Sequence, residues 1–224
     1  DPFAGIGRIH LISNGRPTIA SELEFPWAQQ GGPRSVVADA LTLPFPDNSV
    51  DVVVTSCTYG NRMADLYDGK GGCRRCHGHP ADLFGEPCPR CGGGGHDTSK
   101  RYTYRVFLDR PLSRGSSAGL QWGKAYRTFH RLAWAETTRV LRSYDPAHPE
   151  RGGYFILNIS DHLRKKGTRQ ERQHVSAWHH NHLTSLGYEI IDLADVETDR
   201  SRNGANYDAR VPYEHVITYH APAA

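Results

Sequence analysis

Val50-Asp51-Val52-Val53-Val54-Thr55-Ser56-Cys57-Thr58-Tyr59-Gly60-Asn61 sets an apolar, β-branched run directly before a short polar turn. The valines at 52, 53 and 54 do not alternate with polar residues, which is the pattern of a parallel strand buried on both faces. Ser56, Cys57, Thr58, Tyr59 and Asn61 are then grouped at its carboxyl end. In open α/β sheets that is where ligands bind.

Upstream of this stretch, Asp1-Pro2-Phe3-Ala4-Gly5-Ile6-Gly7 is a glycine-rich turn, and Arg8 to Ile12 are expected to open a helix behind it. Residues 17–23 read as a strand ending in acid, with Glu22 and Glu24 as the alternatives. A carboxylate there can accept hydrogen bonds from both ribose hydroxyls of an adenosine-bearing cofactor. Ser35 to Ala38 form a third short apolar run, closed by Asp39-Ala40. Strands alternating with helical stretches in this way predict an α/β chain with a Rossmann-like, doubly wound, mostly parallel sheet. A glycine-rich turn of this kind normally follows a strand. Since the sequence starts at the turn, and without Met, the expectation is an amino-terminally truncated chain that lacks its first strand or receives it from elsewhere.

The length of 224 residues suits one well-buried α/β domain with a small appended module. The balance of 27 Lys and Arg against 24 Asp and Glu allows a polyanionic partner without requiring one. No run of about 18 apolar residues and no signal-peptide pattern occurs, so the expectation is a cytoplasmic protein with no membrane association.

Taken in order, Asp1 to Gly7, Glu22, Asp39-Ala40 and Thr55 to Asn61 resemble the class I S-adenosylmethionine-dependent methyltransferases. Within that class the resemblance is to DNA amino-methyltransferases that modify adenine N6 or cytosine N4, especially phage-type enzymes of bacteria or infected cells. These carry a D-P-F-x-G-x-G turn for the cofactor and an [S/D/N]-P-P-Y turn for the target base. The resemblance implies that Asp1, Phe3, Gly5 and Gly7 cradle the methionine portion of the cofactor, Glu22 the ribose, and Asp39 with Ala40 the adenine. It further implies that Ser56, Cys57, Thr58 and Tyr59 hold the target base. An exocyclic amine attacks a sulfonium methyl when its lone pair is turned out of conjugation, and Ser56 Oγ with the Cys57 carbonyl can accept its two hydrogens while Tyr59 stacks on the base. Cys57-Thr58 stands where the family has Pro-Pro, and the ring stiffness that holds the carbonyl is absent. Cys57 also admits a thiolate attack on cytosine C6 toward C5 methylation, or simple packing in the core.

Cys73-Arg74-Arg75-Cys76 and Cys88-Pro89-Arg90-Cys91 are two C-x-x-C hooks. Two such hooks complete a tetrahedral, structural Zn²⁺ site, with disulfide pairing as the alternative. Flanked by Gly69 to Gly72 and Gly92 to Gly95, they predict a zinc knuckle over residues 69–101, inserted into a methyltransferase domain of 1–224. Arg74, Arg75, Arg90, Lys100 and Arg101 could contact phosphates there.

In the second half, 102–122 reads as an irregular loop and 124–142 as a helix with Tyr126, Phe129, Leu132, Ala133, Val140 and Leu141 inward. Tyr154 to Ile159 is a strand, and Asp161-His162 a turn and helix cap. Arg164, Lys165, Lys166, Arg169 and Arg172 make 163–172 the most basic segment, read as a solvated loop or a phosphate contact. A helix over 173–187 and two closing strands, 188–196 and 211–219, finish the sheet. The expected function is methyl transfer from S-adenosylmethionine to an exocyclic amine of DNA. The alternatives are an RNA base methyltransferase and an inactive, zinc-stabilised nucleic-acid-binding module.

Overall fold

The computed structural model describes residues 1–58, 60, 112–113, 115–166, 168–197 and 211–223. The expected zinc knuckle with Cys73, Cys76, Cys88 and Cys91, the aromatic Tyr59 and most of the 102–114 loop lie outside the described residues.

Strand β1 (Ala20–Glu22) pairs in parallel with β2 (Ser35–Val37), and α1 (Phe25–Gln30) connects them. Strand β3 (Val52–Thr55) pairs in parallel with β4 (Tyr154–Ile159), in register Val52 to Tyr154 through Thr55 to Leu157. The helix α2 (Lys124–Val140) lies between them in the chain, and α3 (Val175–Ser185) leads from β4 towards β7 (Glu189–Glu197). The last strand, β8 (Tyr213–His220), is antiparallel to both neighbours, giving the order β3-β4-β8-β7. The architecture is thus α/β and Rossmann-like, with β8 as the reversed strand of a sheet otherwise of one direction.

Asp1 ties the two groups of strands together. Its backbone nitrogen bonds Ile19 O at 3.0 Å and its carbonyl accepts Ser21 N–H at 2.8 Å, on the edge of β1 away from β2. Its carboxylate Oδ1 accepts Thr55 Oγ1–H at 2.8 Å from the end of β3. Outward from Asp1 the chain winds through β1 and β2 on one side and through β3 and β4 on the other. Such a reversal is the topological switch point where α/β sheets place their ligands.

Right-handed crossovers that step in one direction put their helices on one face of the sheet. That rule brings α2 and α3 together over Phe155, Leu157 and Ile159, which alternate as the buried residues of β4. Trp134 of α2 sits edge-on to Phe155 with centroids 5.3 Å apart. The buried stripe of α2 is Tyr126, His130, Ala133, Trp134, Thr137 and Val140. Leu132, expected inward, is instead 54% exposed, because the three- and four-residue steps that carry the two large rings leave it on the opposite side. Near the helix end Arg139 donates to the carbonyls of Leu43 and Phe45 and to Glu136, fastening the 43–47 loop to α2.

Two local expectations are corrected. Arg8–Ile12 is a single 3₁₀ turn with no buried residue, since Leu11 and Ile12 face solvent and have no core to drive a longer helix. The basic segment is not a loop but a hairpin, β5 (His162–Lys166) against β6 (Arg169–Gln173), registered from His162–Gln173 to Lys166–Arg169, so that His162, expected in a turn, opens a strand. Polar residues occupy consecutive positions along the segment, so no alternation of apolar and polar residues announces it. Among the described residues no helix is long and apolar enough to cross a membrane.

Candidate functional site

A cavity of about 660 Å³ opens at the switch point, within the range of small-molecule sites. One wall is the turn at the front of the chain and the ends of β1 and β2, where Asp1, Phe3, Gly5, Glu22, Asp39 and Ala40 line it. The facing wall is the turn after β3, through Ser56, Cys57 and Thr58. The two stretches singled out from the sequence therefore share one cavity. Phe129 of α2, Trp27 of α1 and the segment 115–118 close it.

Glu22 anchors the first wall. One carboxylate oxygen accepts Gly5 N–H at 2.8 Å and the other Glu24 N–H at 2.9 Å. Burial pushes its carboxyl above the ordinary range, although those same amides pull the other way. Glu24 is fully buried and turned elsewhere, with its two oxygens taking the amide and hydroxyl of Ser113 at 2.7 and 3.0 Å. Of the two acids, Glu22 is the one in the cavity. Asp39 uses Oδ1 to accept Leu41 N–H at 2.9 Å, which shapes its turn. Asp1, Glu22 and Asp39 give the cavity three acids against one lining base, Arg8, so it suits a ligand with positive charge.

Gly7 does not line the cavity. It has φ +74°, and a Cβ there would come within 2.8 Å of Gly31 Cα, so this glycine lets the turn lie against the end of α1. Phe3, on the same wall, also packs on Phe129 and Trp134, with centroids 6.0 and 5.8 Å away.

The second wall alternates like the strand it continues, with Ser56 exposed to the cavity side and Cys57 buried at 1%. Burial pushes the Cys57 thiol up to about 12. A thiol that stays protonated at neutral pH and is closed to solvent is a poor nucleophile. The geometry therefore disfavours the thiolate route and leaves Cys57 its backbone carbonyl.

Beneath this turn lies a set of buried polar groups that the sequence did not reveal. Trp134 Nε1–H donates to His179 Nδ1 at 2.9 Å, His179 Nε2 meets Tyr126 Oη at 2.8 Å, and Tyr126 donates to the Thr58 carbonyl at 2.5 Å. All three side chains are fully buried. The signal in the sequence was slight: Tyr126, His130 and Trp134 recur at four-residue steps, and His179 lies in a Trp-His-His run on another helix.

Cys57, His130 and His179 bring one ligand atom each within 4.8 Å of one another, which invites a metal reading. Their hydrogen bonding argues against it. Indole N–H can only donate, so His179 Nδ1 is the acceptor and Nε2 carries the proton. A cation at Nε2 would require an imidazolate, beside a thiol that burial keeps protonated. Burial likewise holds His130 down at about 3, and His179 well below its usual range, so both imidazoles are neutral.

Neither a protein-family model nor a curated protein matches this chain. Solved structures do. A candidate DNA modification methylase from Thermus thermophilus, complexed with S-adenosyl-L-methionine, aligns at 16% identity and TM-score 0.39 over 81% of this chain and 51% of its own. A Pyrococcus horikoshii protein aligns at 10% identity and TM-score 0.48, covering 97% and 78%. A candidate S-adenosylmethionine-dependent methyltransferase from Listeria monocytogenes aligns at 9% and 0.45, covering 97% and 88%. The chain spans about half the length of the Thermus protein. With identities this low and scores below 0.5, the fold is carried by this chain's own strand order: a parallel α/β sheet closed by one reversed strand, with its cavity at the switch point.

Proposed function

We propose that this chain transfers a methyl group from S-adenosylmethionine to an exocyclic amino group of a DNA base, adenine N6 or cytosine N4. The observation that carries the proposal is the single cavity walled on one side by Gly5, Glu22 and Asp39 and on the other by Ser56 to Thr58. The residues present fit the cofactor. Glu22 is held by two backbone amides and presents its carboxylate to the cavity, where a ribose diol would be recognised. Asp39 offers a carboxylate to an adenine amine, Ala40 and Phe3 give apolar surface, and the acidic lining favours a sulfonium cation. When bound, S-adenosylmethionine supplies an electrophilic methyl.

The chain's own contribution is to orient the amine. Ser56 and the Cys57 carbonyl accept its hydrogens, so that the nitrogen lone pair faces the donor. Desolvation inside the cavity strengthens those hydrogen bonds. Tyr59, outside the described residues, is assigned to stack on a base turned out of the helix. The zinc knuckle of Cys73, Cys76, Cys88 and Cys91 and the basic β5–β6 hairpin are proposed to grip the nucleic-acid backbone.

Titration calorimetry with S-adenosylmethionine, followed by nucleoside mass spectrometry of DNA and RNA incubated with the protein, tests the reading. Binding plus N6-methyladenine or N4-methylcytosine in DNA is the expected result. Methylation confined to RNA would transfer the same site to the other nucleic acid, and absence of cofactor binding would reduce the chain to a scaffold. Tyr59→Ala is expected to abolish transfer and spare cofactor binding; equal loss of both would misplace the base pocket.

A further inference from the structure

We infer that Trp134, His179 and Tyr126 form a positioning relay that fixes the Ser56–Thr58 turn by hydrogen bonds, in place of rigid backbone rings. The inference rests on the reading of that turn as the holder of the acceptor amine. No proline stiffens residues 56–58, so two soft dihedrals per residue must be restrained by something else.

The relay has one direction. Trp134 Nε1–H can only donate, which makes His179 Nδ1 an acceptor and puts the imidazole proton on Nε2. Nε2–H then donates to Tyr126 Oη, and the phenol proton is left to point at the Thr58 carbonyl, 2.5 Å away. Tyr126 Oη meets both His179 and the Thr58 carbonyl, Cys57 Sγ lies 3.9 Å from the same His179 Nε2, and none of these groups is open to water. Two further anchors flank it: Thr58 Oγ1 donates to Ser117 O at 3.3 Å, and Trp122 N–H donates to Gly60 O at 2.6 Å. A Cβ at Gly60 would lie 3.0 Å from Trp122 N, so glycine permits that approach. With Thr58 held at its carbonyl and Cys57 turned into the core, the Cys57 carbonyl and Ser56 have little freedom left.

Ordinary core polarity would predict partners chosen from neighbouring side chains. Here the terminal acceptor is the backbone of the cavity wall itself. Tyr126, His179 and Trp134 therefore act through the turn and are positioning residues.

The test compares Tyr126→Phe with Leu183→Val, an apolar trim of the same buried core on α3. Amide exchange of the 55–60 peptide, S-adenosylmethionine affinity and single-turnover transfer at saturating nucleic acid are measured for both. Tyr126→Phe is expected to speed exchange of the turn by about tenfold. It should lower transfer by about 10²-fold while cofactor affinity stays within about twofold. Leu183→Val should do neither. Trp134→Phe, which frees the far end of the relay, should speed exchange by a smaller factor. If Tyr126→Phe changes exchange of the turn no more than Leu183→Val does, the relay is only core packing and the inference is overturned. Should the wild-type protein methylate neither DNA nor RNA, the functional reading fails, and the exchange comparison still decides the relay.

Discussion

At Glu22, one carboxylate meets two demands that pull on its proton in opposite directions. Burial favours the neutral acid, and recognition of a diol needs the ion. Its raised pKa means that the acceptor is lost as pH falls through a range above that of an exposed carboxylate. S-adenosylmethionine affinity should therefore fall on acidification, beginning above the range where exposed carboxylates titrate, and Glu22→Gln should bind weakly with a flattened profile; a wild-type affinity that does not change on acidification would remove Glu22 from the ligand. For folding the sign is the reverse of an ion pair's. A raised carboxyl binds its proton more readily in the folded chain, so its contribution to stability diminishes as pH rises through the same range. Cys57 gives a second residue-level expectation. Cys57→Ala removes one buried sulfur at a cost of about 1–2 kcal/mol and should keep transfer within about threefold, because only the backbone carbonyl of that residue is used. A dead Cys57→Ala variant that still folds and binds cofactor would restore the thiolate route.

Among the elements, the junction between β4, the β5–β6 hairpin and α3 rests on Asp161. The carboxylate is nearly buried and accepts Ser176 N–H at 2.9 Å, Ser176 Oγ–H at 2.7 Å and Arg172 Nε–H at 2.7 Å. It caps the first turn of α3 from outside the helix and ties β6 to it. Burial alone would raise this carboxyl, but the Ser176 donors and the Arg172 guanidinium outweigh it and hold it below the usual range. The resulting stability is present above the unfolded carboxyl pKa and is lost as acid brings the pH down through the lowered folded value. Asp161→Ala should cost about 2–3 kcal/mol in urea denaturation at neutral pH. A loss below about 0.5 kcal/mol would show that the cap is dispensable. The turn before β1 provides a backbone counterpart: Gly7→Ala must hold φ +74° and displace the end of α1, for an expected loss of about 1–3 kcal/mol in the same assay.

On the scale of the whole molecule, the cavity joins segments that are far apart in the chain: the front turn, β1, β2, the turn after β3 and the face of α2. A ligand there should stabilise the fold as a unit. At about 100 times its dissociation constant, S-adenosylmethionine should add about 2.7 kcal/mol, which is about 5–10 °C in melting temperature for a chain of this size. Scanning calorimetry with and without the cofactor checks this, and no shift at saturating ligand would empty the proposed site.

Much of this was legible in the sequence. The valine run and the apolar segment at 154–159 each named a strand, since β-branched and apolar runs of that length favour extended chain. Burial on both faces, expected for the valines, is not found, because Val52 is exposed and burial alternates along both strands, and their pairing with each other is a tertiary result. The glycine turn, Glu22, Asp39 and Ser56 to Thr58 could be picked out because their order along the chain follows the order of strand ends in such a sheet. What the tertiary structure decided is the choice of Glu22 over Glu24 as the cavity acid, the burial of Cys57, the hairpin made by the basic segment, and the Trp134–His179–Tyr126 relay. Each depends on which groups from distant elements meet. Periodicity states only that a residue faces inward; the strand order, and the packing of α2 beside α3 that goes with it, determine what it meets there.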